Sequence, residues 1–513
     1  MRSVSCCCIH FVSSGSLAEL VFGLREVHFG DVPPDRSRIL ESSMWKSRRF
    51  WLKSCAALVG TVLVGVIWFS FTALPILTGY KAKVMASGVF VARRSFESVV
   101  EQDVSFLARG LTWSIDQGDS SVTVSLRGFA TRKAIVHEGL GATLLPPDKE
   151  DISFDPGYTL LPVPKPDLDA YWPLGDDTSQ RNMEPGKRAA LDAAVEWAFT
   201  DPEPDESWGT RAIIVAQGGN VLSERYNRGF GLSTPLHGWS MSKSLVNALI
   251  GILVKQGKLD IHAPAPVPEW DKSGDPRGAI TVNQLLQMNS GLAFREDYLN
   301  PYGDVLRMLF LEGDFAGYTA KQPLAAEPGT VWSYASGTTN LLCRIMRQRV
   351  GGSDSDYFNF PRTALFGKLG MTSAILEPDA SGTFAGSSFA YATARDWARF
   401  GQFYLQDGVW NGERLLPEGW VAYSTTPAPG APQGRYGAHW WLNAGIPGNP
   451  ESRPYPSLPP DLYYASGHEG QFLVVVPSRQ AVIVRLGVTR GRDFDLETFI
   501  RQILDALEVV EGA

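Results

Sequence analysis

The ten residues Leu245–Val254 carry one polar side chain, Asn247, and are apolar on nearly every face of a helix. Such a helix needs protein on all sides, because ten residues are too few to cross a bilayer. It stops at Gly257, a residue type suited to helix ends. Just upstream stands His237-Gly238-Trp239-Ser240-Met241-Ser242-Lys243-Ser244, which puts Ser240 at the helix N-terminus and Lys243 one turn into it. Residues three apart share a helix face. Burial strips a lysine of solvation and lowers its pKa, leaving a neutral amine that can take a serine proton. The S-x-x-K spacing by itself is weak: it recurs at Ser43–Lys46, and a serine N-cap beside a surface lysine gives the same pattern. The all-apolar helix separates the two readings, since it offers Lys243 no solvated face. The nucleophile elbow G-x-S-x-G is not formed here, because Ser242 stands where its second glycine belongs.

The rest of the chain narrows the chemistry. A net charge of -7 without a concentrated basic face excludes nucleic acid as the main partner. Five cysteines, three of them at Cys6–Cys8, leave Cys343 alone in the large downstream portion, so no disulfide framework is written there. Neither H-E-x-x-H nor C-x-x-C occurs, and no Walker loop forms around Gly367-Lys368. No metal and no organic cofactor is expected.

The 513 residues allow about three domains, or one large domain with appendages. Cys55–Leu77 is uncharged and, as a helix, spans the ~30 Å of a hydrocarbon core, so a transmembrane anchor is expected over 55–77. A signal peptide cleaved near Val84-Met85-Ala86 competes with it, although such apolar regions usually run only about 7–15 residues. Basic residues are denser before the run than after it, which places residues 1–54 in the cytoplasm and the rest in an extracytoplasmic, periplasmic position. Met44-Trp45-Lys46-Ser47-Arg48-Arg49 has the composition of a basic leader start, so translation is expected to begin at Met44. Residues 78–182 read as a small β-rich extension and a Pro-rich linker, and 183–513 as the main domain. Within the latter, Arg188–Phe199 and Ala394–Leu405 carry helical patterns, and Gly218-Gly219 joins two strand patterns into a hairpin.

Two triplets follow Lys243 in chain order. Tyr334-Ala335-Ser336 is one of five Y-x-[SN] matches and sits in the loop from Glu327 to Gly337. His468-Glu469-Gly470 precedes two buried-strand patterns, Gln471–Val476 and Ala481–Leu486. An earlier His-Glu-Gly at His137 and the triplet Lys272-Ser273-Gly274 both come before the tyrosine. The order S-x-x-K, Y-x-S, H-x-G over about residues 183–513 resembles the penicillin-recognising serine hydrolases. In its motifs this class C β-lactamase-like family is matched most nearly by its 6-aminohexanoate-dimer hydrolase, esterase and D-aminopeptidase members.

The resemblance implies an α/β (α+β) fold, with an antiparallel sheet flanked by helices, an all-helical lobe and the nucleophile in the cleft between them. It implies Ser240 as nucleophile and Lys243 and Tyr334 as proton carriers, the tyrosine pKa being lowered by the lysine cation. The backbone amides of Ser240 and Gln471 would form an oxyanion hole. His468, Gly470, Ser336 and Tyr298 would meet a small or peptide-like substrate. A histidine where many relatives have a fixed lysine cation argues against antibiotic hydrolysis. The bond remains open between amide, ester and D-amino-acid peptide. Two non-hydrolytic readings also stand: a sensor of the same fold acylated once or never, and a membrane-tethered scaffold that binds through residues 78–182.

Overall fold

The computed structural model describes residues 34–106, 109–179, 183–203 and 206–509. The Cys6–Cys8 cluster and most of the segment ahead of the expected Met44 start lie outside them. The chain divides into two compact units at Trp68/Phe69.

Helix α1 runs from Pro34 to Ala86, and no helix among the described residues is long and apolar enough to cross a membrane. The expected transmembrane anchor over 55–77, and the membrane partner drawn from it, therefore find no support among the described residues. The end of the apolar run is core-forming: Ala73 and Ile76 are buried, and the helix continues unbroken into buried Thr78, Lys81 and Lys83. Both lysines find hydrogen-bond partners inside the protein. Lys81 Nζ donates to the carbonyls of Val104 and Phe106 at 2.6 and 2.5 Å, and Lys83 pairs with the carboxylate of Glu377.

After α1 comes a four-stranded antiparallel meander of β1 (Leu111–Asp116), β2 (Ser121–Leu126), β3 (Phe129–His137) and β4 (Gly141–Leu144). Val122, Val124, Ala134 and Ala142 point into a core shared with the end of α1 and with Val305, Met308 and Phe310 of the helix Asp304–Leu311, part of the helical lobe that also holds Phe315–Ala320 and Ser336–Val350. Residues 78–182 therefore pack within the same compact unit as the main domain.

The main sheet has six antiparallel strands. In chain order they are β5 (Thr210–Gln217), β6 (Asn220–Tyr226), β7 (Trp441–Leu442), β8 (Tyr463–Gly467), β9 (Gln471–Val476) and β10 (Ala481–Gly487), and across the sheet they run β7-β8-β9-β10-β5-β6. Alternate residues serve opposite faces. Ile214, Ala216, Leu473, Val475, Val482 and Val484 join the core under the helical lobe. Ile213, Val215, Val474 and Ile483 pack under α2 (Pro185–Phe199) and the C-terminal helix Leu496–Ala506. Both faces are thus covered, which explains strands that read as continuous apolar runs.

The apolar helix of the sequence is α3 (Ser242–Lys255), with every residue from Ser242 to Leu253 buried. Asn247, the one polar residue of its Leu245–Leu253 stretch, is satisfied on both ends. Nδ2 donates to Ser424 Oγ and the Ala438 carbonyl, while Oδ1 accepts from Tyr404 and Trp420. The expected helix over Ala394–Leu405 is present with those bounds and is capped by Thr393, whose side chain accepts from Asp396 N.

Candidate active site

Ser240 occupies a single 3₁₀ turn, Trp239–Met241, that runs into α3. Three constraints hold this turn. Leu236–His237 pairs with Tyr391–Ala392, Gly238 N donates to the Ala390 carbonyl at 2.9 Å, and Trp239 sits in the left-handed region at φ 47. A bulky residue adopts that conformation only when its surroundings impose it. The surroundings here are rings: Tyr80 stacks on Trp239 at 6.3 Å, and His237 lies against it at 4.1 Å.

Lys243 is 1% exposed, and its Nζ has three oxygen neighbours: Ser240 Oγ at 3.0 Å, Ser336 Oγ at 3.1 Å and the Ser387 carbonyl at 2.9 Å. Burial lowers its pKa to about 8, against a smaller opposing pull from Glu296. The partners differ in what they can offer. The Ser387 carbonyl only accepts, and Ser336 Oγ already donates its hydrogen to Glu296 Oε1 at 2.5 Å. A neutral amine has two hydrogens, which these two oxygens take up. Its lone pair is then left for Ser240 Oγ, the one neighbour with a hydrogen to give.

Tyr334 completes the cluster. Its ring lies over Lys243 Nζ at 4.8 Å, and its hydroxyl shares a hydrogen bond with Ser240. The phenol pKa is raised rather than lowered as expected, first by burial and then by the charge of Glu296, with the Ser240 hydrogen bond acting in the opposite sense. Burial and Glu296 thus favour the protonated phenol.

Ser336 opens the helix Ser336–Val350 and is fully buried, bridging Lys243 to Glu296, which also accepts from Ser336 N at 2.8 Å. Tyr298 donates to Glu296 Oε1 at 3.3 Å, and its ring stacks on His468 at 5.1 Å. His468 meets Trp239 edge-on at 5.3 Å, which brings it beside the nucleophile turn. Gln471 begins β9 opposite Gly467. A side chain on Gly467 would place its Cβ 2.1 Å from the Gly238 carbonyl, so only glycine lets this hairpin approach the nucleophile loop. Gly470 has φ 80, and its carbonyl accepts from buried Arg485 Nη1 at 2.5 Å. Ser240, Lys243, Tyr334, Ser336, Tyr298 and His468 are thus linked through direct contacts that run by way of Glu296 and Trp239, and the hairpin carrying Gly470 and Gln471 lies against the same loop at Gly467.

Four contributors had no signal of their own in the sequence. Glu296 and Ser387 complete the lysine's surroundings. Arg485 anchors the His468–Gly470 turn. His439 pins α3, with Nδ1 2.9 Å from the Lys243 carbonyl and Nε2 3.2 Å from Thr339 Oγ1, and burial holds its pKa down at about 3. Only Glu296 was within view of a motif, two residues before Tyr298. Among the described residues no cluster of His, Cys, Asp and Glu could hold a metal ion.

The family model described as Beta-lactamase matches residues 208–508. The 6-aminohexanoate-dimer hydrolase of Paenarthrobacter ureafaciens is 30% identical over 300 residues, covering 54% of this chain and 72% of that protein. Among solved structures, a penicillin-binding protein homologue from Caulobacter crescentus has a TM-score of 0.48 at 18% identity, covering 63% of this chain and 98% of that one. A family VIII carboxylesterase has a TM-score of 0.48 at 14% identity, covering 64% and 98%.

Proposed function

Since the chain belongs to the beta-lactamase family of serine hydrolases, we propose that it cleaves an amide or ester of a small or peptide-like substrate through an acyl-enzyme on Ser240. The observation that carries this reading is the placement of buried Lys243 Nζ 3.0 Å from Ser240 Oγ, with its two other oxygen neighbours already set to accept from the amine, so that in the neutral amine the lone pair is left for Ser240.

The steps follow from the groups in place. Ser240 Oγ attacks the carbonyl carbon as its proton passes to Lys243 Nζ. Charge gathering on the carbonyl oxygen is met by the backbone N–H groups of Ser240 and Gln471. Tyr334, a protonated phenol, gives its proton to the leaving nitrogen or oxygen and regains one from the lysine. Water then attacks the ester carbonyl by the same route in reverse and frees Ser240. His468 supplies stacking surface where many relatives supply a fixed cation, so substrates need no carboxylate at that point.

Rates on p-nitrophenyl acetate and on a short linear amide, measured for the wild type and Ser240→Ala, test the proposal. Turnover of at least one substrate that disappears in the variant is expected. Turnover unchanged in Ser240→Ala would overturn it, and a single acylation of Ser240 without release would favour the sensor.

A further inference from the structure

Beside the nucleophile turn lies an open cavity of about 760 Å³, within the size range of small-molecule sites. One wall is α1, through Leu74 and Leu77, and a second is the meander, through Leu111 and Leu126. The helical lobe closes a third side with Leu306 and Phe310. The remaining side is the active site itself, contributed by Trp239, Tyr298 and His468. The lining is almost entirely hydrocarbon and aromatic, with Arg109, Glu469, His468 and the phenols of Tyr80 and Tyr298 as its charged or titratable members. The α1 and meander walls come from residues that precede the region matched by the family model, which begins at residue 208.

An apolar space of this size beside a nucleophile costs free energy while it holds water, and it favours ligands that bring methylenes into it. Contact with the catalytic turn is direct. Tyr80 of α1 lines the cavity and stacks on Trp239, the residue that precedes Ser240. At the mouth, Leu299 is 96% exposed.

We infer that the N-terminal helix and meander build a hydrocarbon-binding pocket onto the hydrolase, and that the substrate is an ester or amide carrying a medium or long unbranched aliphatic chain. The inference rests on the assignment of Ser240 as nucleophile. The chain lies along Leu74, Leu77 and Leu126, with its carbonyl end at Ser240.

Two ester series on the full-length chain test this: p-nitrophenyl alkanoates from acetate to decanoate, and alkyl acetates of rising alcohol length. In one of the series kcat/KM is expected to rise about fourfold per added methylene until the pocket is filled, and the responding series tells whether the acyl or the alcohol side enters. Leu306→Trp, which fills the cavity, and Leu299→Asp, an exposed change that leaves the core untouched, should each lower the ratio of kcat/KM for the eight-carbon member to that for the shortest member of that series at least tenfold. Flat or falling rates in both series, with acetate turnover still lost in Ser240→Ala, would overturn the pocket while leaving the nucleophile assignment intact. Length dependence that both variants leave unchanged would also overturn it. Turnover that persists in Ser240→Ala would instead remove the site reading on which the inference stands.

Discussion

Lys243 is the residue on which pH acts. Its pKa of about 8 results from burial working against the nearby charge of Glu296. Because the proposed mechanism uses the neutral amine, kcat/KM should climb as pH rises through about 8. Glu296→Gln keeps an acceptor for Ser336 but removes the charge that raises the lysine pKa, so the limb should move to lower pH; an upward move in the pH–rate profile would contradict this. Tyr334 makes a different prediction. Its phenol is held protonated, so Tyr334→Phe should slow an amide, whose leaving nitrogen needs a proton, more than a p-nitrophenyl ester, whose leaving group does not; equal slowing would argue against a donor role. Ser240 and Lys243 were legible in the sequence because the spacing and the apolar helix are local features. Glu296 was not, since its contact with Ser336 bridges forty positions and leaves no periodic trace. The tyrosine shift was read with the wrong sign for a related reason: adjacency to a lysine can be guessed from motifs, but burial and a facing carboxylate cannot.

At the scale of elements, two pieces must meet: the turn that enters α3, and the hairpin of β8 and β9. Gly467 governs their approach, because a Cβ there would collide with the Gly238 carbonyl. Gly467→Ala should push the hairpin away and lower kcat/KM by about a hundredfold, the usual effect of a displacement near 1 Å. The thermal midpoint should fall far less than for a core truncation; unchanged kinetics would show that the hairpin can shift without harm. The hairpins over 210–226 and 471–487 and the helix Ala394–Leu405 were legible, because alternation and 3.6-residue periodicity survive wherever a strand or helix packs against one core. The 3₁₀ turn at Trp239–Met241 was not, as its positive φ is imposed by stacked rings that come from distant parts of the chain.

Across the whole molecule, the end of α1 belongs to the hydrolase core and is tied there by a buried ion pair between Lys83 and Glu377, assisted by Ser87, which donates to Glu377 Oε1 at 2.8 Å. Lys83→Met leaves that carboxylate unpaired and should cost about 3–5 kcal/mol in chemical denaturation, while pairing it with Glu377→Leu should recover part of the loss. A double variant no more stable than the single one would contradict the pairing. The apolar run at 55–77 divides, because hydropathy reports avoidance of water without saying what provides the cover: Ala73 and Ile76 find theirs in protein, whereas Leu58, Val62, Trp68 and Phe71 stay exposed. The central claim is that Lys243 activates Ser240, and mass spectrometry after fluorophosphonate treatment measures it most directly. The account predicts one adduct, on the peptide carrying Ser240, formed roughly 10²–10⁴ times more slowly in Lys243→Ala. Labelling at another residue, or labelling of Ser240 at an undiminished rate without the lysine, would contradict it.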